Sequence, residues 1–178
     1  MSQVVWITGL SGAGKTTLAQ AIVKHLRDNG QDVIFLDGDE LRDILNRPLN
    51  NVQSHDRESR LALAMQYAQL CRMLAMQGFI VVIATISLFK EIHSWNRKNL
   101  PGYFEVYIKV PLAELRRRDP KSIYQRFNSG EIKNVAGLDL KIDEPLNAHL
   151  IIDYAQKNSI QKSVIQLFNL LQNGQRSD

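Results

Sequence analysis

An apolar run, Val4-Val5-Trp6-Ile7, leads straight into GLSGAGKTT, residues Gly9 to Thr17. That junction constrains the fold more than any other feature of the chain. The three glycines let the backbone turn so that successive N–H groups point into one concavity. A helix starting at Lys15 adds partial positive charge from its N-terminus. Gly9-Leu10-Ser11-Gly12-Ala13-Gly14-Lys15-Thr16 fits G-x-x-x-x-G-K-[ST] at every fixed position, with a strand before it and a helix after it. The pattern is a cradle for a nucleoside triphosphate. Its backbone, from Gly9 through Thr17, surrounds the phosphates, Lys15 reaches the β- and γ-phosphates, and the Thr16 hydroxyl reaches Mg²⁺.

Strand and helix patterns alternate after this loop. Gln3–Thr8 reads as a buried strand and Lys15 to Asn29 as a helix stopped at Asn29-Gly30. Asp32–Leu36 reads as a second strand, Asp39–Asn46 as a short helix, and Ser54 to Gln77 as a long helix capped by Ser54 and stopped by Gly78. Phe79–Ala84 is apolar on both faces, as suits the middle of a parallel sheet. Leu88–Asn99 reads as a helix, Phe104–Val110 as a strand, Leu112–Arg118 as a helix, Leu150–Asp153 as a strand and Ser159–Gln172 as a closing helix. In the last of these, Ile160, Val164, Ile165, Phe168 and Leu171 form a packing face. The expected fold is α/β: a P-loop NTPase three-layer sandwich with an open, mostly parallel sheet. With 178 residues and no linker or repeat, one domain spans the chain. The segment of about 119–143 lacks a long apolar period and reads as a lid over the site, or else as a disordered insertion.

The cradle alone does not separate a switch, a motor and a kinase. A guanine-reading N-K-x-D is absent, since Asn96-Arg97-Lys98-Asn99 lacks the aspartate. Motor ATPases are usually larger, which leaves a small kinase. The second strand ends in Asp37-Gly38-Asp39, whose two carboxylates can both face the cradle. Phosphoryl transfer needs a group that organises Mg²⁺ and one that orients the attacking hydroxyl or takes its proton. Asp39 is the candidate base and Asp37 joins Thr16 at the metal, though these two roles are interchangeable on the sequence. Arg42, about one helical turn beyond Asp39, and Arg57, beside Asp56, are candidate clamps for an anionic acceptor.

The net charge of +4 suits anionic small molecules. Nucleic acid is not an expected partner: the longest basic block, Arg116-Arg117-Arg118, meets Asp119 at once. Cys71 is the single cysteine and reads as a buried, inert thiol, so no internal disulfide forms. The chain shows neither a signal-peptide pattern nor an apolar run of membrane-spanning length, so a cytoplasmic protein without a membrane partner is expected.

Together these motifs resemble adenylyl-sulfate kinases, from Trp6 to about Asp153. The matching stretches are WITGLSGAGKTTLA, LDGDELR, the pair Asp56-Arg57, the strand end Ile86-Ser87, FEVYIKVPL, and RDPKSIYQRFNSGEIKN followed by Gly137. The family transfers the γ-phosphate of ATP to the ribose 3′-hydroxyl of adenosine 5′-phosphosulfate. The resemblance implies that Gly9 to Thr16 hold ATP and metal, that Asp37 and Asp39 serve catalysis, and that Arg42 and Arg57 hold the acceptor. It implies that Lys133 and Asn134 close over the site and that Arg117 and Arg118 lie near the ATP base. Ser87 matches a serine described in the family as a phosphorylated intermediate. Direct in-line transfer needs only a positioned hydroxyl, and a hydrogen bond from Ser87 to the acceptor explains its place as well. A homodimer is implied too.

Departures from the family pattern cluster on the acceptor side. The Phe-Ser before Asp-Arg is Val52-Gln53 here, and the Phe-Thr after GEIKN is Val135-Ala136. Those phenylalanines sandwich the acceptor's adenine in the family, and losing both removes stacking worth ~1–3 kcal/mol per base. The asparagine three residues beyond Asp-Arg is Arg60 here. In I-S-P-Y-R-x-x-R the first arginine is Lys90, which keeps charge but loses the bidentate fork. The second is His93, which by itself reads as a surface histidine. The lid's Tyr-Glu is Ile142-Asp143. With the donor side intact and the acceptor side changed, the expected reaction is the same transfer to a related 5′-activated nucleotide. Cytidine diphosphoramidate, the acceptor of a family branch, is preferred, with Arg60 or Gln53 bonding the base edge. Adenosine 5′-phosphosulfate is the alternative. An idle nucleotide-binding module is a reading of another class, opposed by the intact Lys15, Thr16, Asp37 and Asp39.

Overall fold

The computed structural model describes residues 2–45, 56–156 and 159–174. Five strands form one parallel sheet: β1 (Gln3–Thr8), β2 (Val33–Asp37), β3 (Ile80–Thr85), β4 (Tyr103–Lys109) and β5 (Leu150–Asp153), in the order β2-β3-β1-β4-β5. The chain leaves β1 for the far edge, returns through β3, then crosses to β4. The carboxyl ends beside β1 therefore form the crevice in which such sheets bind ligands.

Helices cover both faces, because the strands carry apolar side chains on both. Val5 and Ile7 face α1 (Lys15–Asp28) and α7 (Ile160–Gly174), while Val4 and Trp6 face α3 (Arg57–Ala75) and α4 (Lys90–Asn99). The remaining helices are α2 (Gly38–Leu45), α5 (Leu112–Arg118) and α6 (Ile123–Asn128). Cys71 is fully buried among the α3 contacts, and burial pushes its thiol well above the ordinary range. Among the described residues no helix is long and apolar enough to cross a membrane.

Three elements differ from the sequence reading. Ser54 lies outside the described residues. The helix following it begins at Arg57, and the Asp56 carboxylate caps it by accepting the Ser59 N–H at 2.8 Å. In α7, Val164, Leu167 and Leu171 are buried, whereas Ile160 and Ile165 are 49% and 55% exposed. A helical stripe recurs at three and four residues, and Ile165, one step from Val164, is turned away from it. The 119–149 segment is ordered and carries α6. Its Tyr124 is buried, and the phenol donates to the Ser11 carbonyl at 3.0 Å. The Asp119 carboxylate accepts the N–H groups of Tyr124 and Gln125 at the start of α6.

The β2–α2 elbow has one tight point. A Cβ on Gly38 would meet the Ala84 carbonyl oxygen at 2.9 Å and Thr85 Cβ at 3.0 Å. Gly38→Ala must push β2 away from β3 at their carboxyl ends. We expect it to cost about 1–3 kcal/mol and to lower the melting temperature by roughly 2–4 °C per kcal/mol. Calorimetry checks this, and an unchanged melting temperature contradicts the close approach.

Candidate active site

The glycine loop joins β1 to α1 as the sequence implies. Gly12 and Gly14 adopt left-handed backbone, with φ of 79° and 95°. The Ala13 N–H bonds the Leu10 carbonyl at 3.2 Å and so tightens the loop. Lys15 Nζ donates to the same carbonyl at 2.8 Å, which folds its side chain back over the loop. Thr16 Oγ1 donates to Asp37 Oδ2 at 2.7 Å, and Asp37 Oδ1 accepts the Asp39 N–H at 2.9 Å. One buried carboxylate thus ties the loop's helix to the elbow.

Asp39 stands across from the loop. Its carboxylate pairs with Arg42 at 3.3 Å and with Lys121, which comes from the 119–149 segment. Burial works to raise its pKa, but the hydrogen bond and charge of Lys121, with Arg42 and Lys15, hold it below the usual carboxylate range. Tyr67 donates to the Gly38 carbonyl at 3.0 Å and supports the elbow from α3. At the end of β3 the Thr85 and Ser87 hydroxyls lie 2.8 Å apart, and Thr8 Oγ1 donates to the Ile86 carbonyl.

Tyr67 and Ser87 line a smaller recess, and beside it the glycine loop, Asp37, Asp39, Arg42 and Thr85 line a cleft of about 510 Å³. Its floor is the glycine loop, Asp37 and Asp39. Its walls are Arg42, Arg60 and the segment residues Lys121, Arg126, Lys133 and Val135. Arg60 Nη2 donates to the Asn134 carbonyl at 2.9 Å, joining α3 to the segment. Asn134 is left-handed at φ 59°, and Asp139 accepts the N–H groups of Asn134 and Val135. Burial and the like charge of Arg42 push the Arg60 pKa down, with Asp139 acting against them. A small recess behind Ser87 is lined by Tyr67, Phe89, Ala136, Leu140 and Ile142.

A second cleft opens on the other side of the glycine loop, between Gly14, Thr17, Val110, Ile152 and Ile160. Arg118 lines it, with its guanidinium 4.8 Å from the Tyr154 ring and 3.4 Å from the Gly12 carbonyl. Ile160, assigned only to packing by its helical spacing, is in this wall.

Several candidate residues are not brought together. Arg117 is turned outward onto Glu114. Arg57 pairs with Glu91 at 3.0 Å and Asp143 at 3.5 Å, over the Phe89 ring at 5.3 Å, and lines none of the three cavities. The Lys90 side chain is exposed at the start of α4. Val52 and Gln53 lie outside the described residues. His93 is not a surface residue. It is 8% exposed, because the fully buried Glu105 on β4 holds its ring. Lys121, Tyr67 and Thr85 belong to the site without having been singled out. For Lys121 a signal existed, since it follows Arg-Asp-Pro in the stretch most like the family.

The comparisons agree with this geometry. A cytidine diphosphoramidate kinase from Campylobacter jejuni is 40% identical over 161 residues, 90% of this chain and 91% of that one. A probable adenylyl-sulfate kinase from Archaeoglobus fulgidus is 38% identical over 153 residues, 86% of this chain and 96% of that one. The structure of the Mycobacterium tuberculosis APS kinase in complex with AMPPNP and APS superposes with a TM-score of 0.85 at 31% identity, covering 96% and 98% of the two chains. Shikimate kinase from Aquifex aeolicus, at 10% identity and a TM-score of 0.56 over 99% of this chain and 100% of its own, shares the fold alone. The family model for adenylylsulphate kinase matches residues 1–153, which take in both clefts' strand ends and the whole covering segment, and the chain belongs to that family.

Proposed function

We propose that this kinase moves the γ-phosphate of ATP to the ribose 3′-hydroxyl of a 5′-activated nucleotide, and that the acceptor is cytidine diphosphoramidate. The observation that carries the transfer is the Thr16–Asp37–Asp39 chain of hydrogen bonds, which sets a phosphate cradle and a carboxylate together on the floor of one cleft. The depressed pKa of Asp39 suits a group that orients the acceptor hydroxyl rather than one that removes its proton early. Orientation is sufficient for a loose phosphoryl-transfer transition state. Thr16 and Asp37 are hard oxygen donors side by side and fit Mg²⁺. Among the described residues no group of three His, Cys, Asp or Glu side chains gathers, in keeping with an ion held mainly by phosphate oxygens and water. Bound there, the ion supplies charge neutralisation of the phosphates. The second cleft, with Arg118 and Tyr154, suits the ATP base.

For the acceptor, the segment presents Val135 to the cleft, a small aliphatic wall that favours a pyrimidine over a stacked purine. The cytidine diphosphoramidate kinase of C. jejuni supports the same choice. Adenosine 5′-phosphosulfate is the second reading, supported by the adenylyl-sulfate kinases among the relatives.

Three outcomes follow. With ATP and Mg²⁺, cytidine diphosphoramidate releases ADP at a higher kcat/KM than adenosine 5′-phosphosulfate, and the reverse order overturns the acceptor assignment. Asp39→Asn lowers kcat on the order of 10²–10⁴-fold with little change in the KM for ATP, as steady-state kinetics reads. The third concerns protons. Burial pushes the Lys15 ammonium down to about 8, although Asp39 and Asp37 pull it upward. A triphosphate beside it favours the charged form. Nucleotide binding at pH 8 therefore takes up about half a proton, and the uptake fades toward pH 6. Titration calorimetry in buffers of different ionisation enthalpy reads this, and identical heats at pH 8 contradict it.

A further inference from the structure

Glu105 is a carboxylate with no exposure, in the middle of a sheet. Burial works to raise its pKa, but His93, Tyr103 and Arg97 together hold it below the ordinary range. Tyr103 donates to Oε1 at 2.9 Å. Arg97 Nη2 donates to Oε2 at 2.6 Å and also to the Asn147 carbonyl at 3.0 Å. The His93 ring lies between Glu105 Oε1, 2.7 Å from Nδ1, and the Asp143 carbonyl, 3.0 Å from Nε2. One buried acid thus acts through two side chains of α4 on two carbonyls of the segment that covers the cleft.

Both neighbours of the imidazole are acceptors. A carbonyl oxygen only accepts, and the Glu105 carboxylate already collects donors from Tyr103 and Arg97. Both bonds form together only when the ring carries a proton on each nitrogen. A ring with one proton keeps one bond and leaves the other pair facing lone pair to lone pair.

Residue 143 transmits the consequence. Its N–H donates to the Leu88 carbonyl at 2.9 Å, and its carboxylate accepts the Lys90 N–H at 3.2 Å and Arg57 at 3.5 Å. Leu88 follows Ser87 directly, and Ile142 and Leu140 line the recess behind Ser87. We propose that His93 is a positioning residue: as a doubly protonated bridge from Glu105 to the Asp143 carbonyl, it fixes the foot of the covering segment and, with it, the acceptor-side wall. The inference rests on the kinase reading for its kinetic readout alone.

Other charged groups surround the ring. Arg97 and Glu91 lie on α4, Arg57 on α3 and Asp143 on the segment. His149, ahead of β5, accepts the Glu105 N–H through Nδ1, and burial together with Arg97 pushes its pKa down. Gaining a proton on His149 breaks that bond on the acid side.

The test is hydrogen exchange at the Asp143 and Lys90 amides, together with steady-state kinetics, on wild type, His93→Gln and His93→Arg. Arginine keeps a permanent charge and donors along two edges. In His93→Gln the two amides exchange about tenfold faster relative to those of β1, and the KM for the acceptor that turns over rises about tenfold with the KM for ATP unchanged. His93→Arg restores both. Exchange of the β1 amides in each variant reports whether it is folded. Unchanged exchange at Asp143 and Lys90 in His93→Gln overturns the bridge. Faster exchange throughout the sheet, with both KM values moving together, overturns the positioning role and leaves His93 a packing residue. Exchange reads the bridge whatever the acceptor proves to be, so failure of the substrate assignment is distinguishable.

Discussion

The hydrogen bond from Thr16 to Asp37 fixes the one distance on which the rest of the site depends. It joins the start of α1, which follows β1, to the end of β2, although β3 runs between those two strands. Register makes the bond possible. Thr8 is level with Thr85, and Asp37 with Ala84, so both strand ends reach the same height above β3. Asp37 then divides its carboxylate, one oxygen to Thr16 and one to the Asp39 N–H. The second bond turns the chain into α2 and throws Asp39 across the cleft. Gly38 is small where the elbow crosses the end of β3, and Tyr67 satisfies its carbonyl from α3. Cradle, elbow and carboxylate are thus set by sheet register before any ligand contact is made.

What could be read in the sequence follows from how local each cause is. The glycine loop, α5 and β5 need only neighbouring residues, and their boundaries agree with the reading. The reading ended β2 at Leu36 and β3 at Ala84, yet pairing continues through Asp37 and Thr85. Polar side chains at a strand's carboxyl end look like loop, while their backbones still belong to the ladder, and here those side chains are the site. His93 was illegible for another reason. Its burial is decided by Glu105, twelve residues on and in a different element. The covering segment lacks an apolar period because its anchors are distant single contacts: Tyr124 to Ser11, Gly137 against Leu10, Arg60 to Asn134.

The two sides of the cleft hold charge in different ways. On the donor side stand backbone N–H groups and one buried lysine, an arrangement carried by the loop motif and shared across the fold. On the wall facing the cradle stand long cations from separate elements, with Arg42 on α2, Arg60 on α3, and Lys121 and Lys133 on the segment. Three of them are partly compensated: Arg42 and Lys121 share Asp39, and Asp139 acts on Arg60. Arg57 is compensated by Glu91 and Asp143 and stands outside the cleft.

Burial and Arg42 push the Arg60 pKa down while Asp139 acts against them, so an anion in the cleft beside the two guanidiniums would relieve part of their repulsion. A neutral acceptor leaves that repulsion in place. On the proposed reading, an acceptor with a charged 5′ group relieves it. On that reading, selection for the anion and placement of the hydroxyl share one cause, the two arginines that line the cleft.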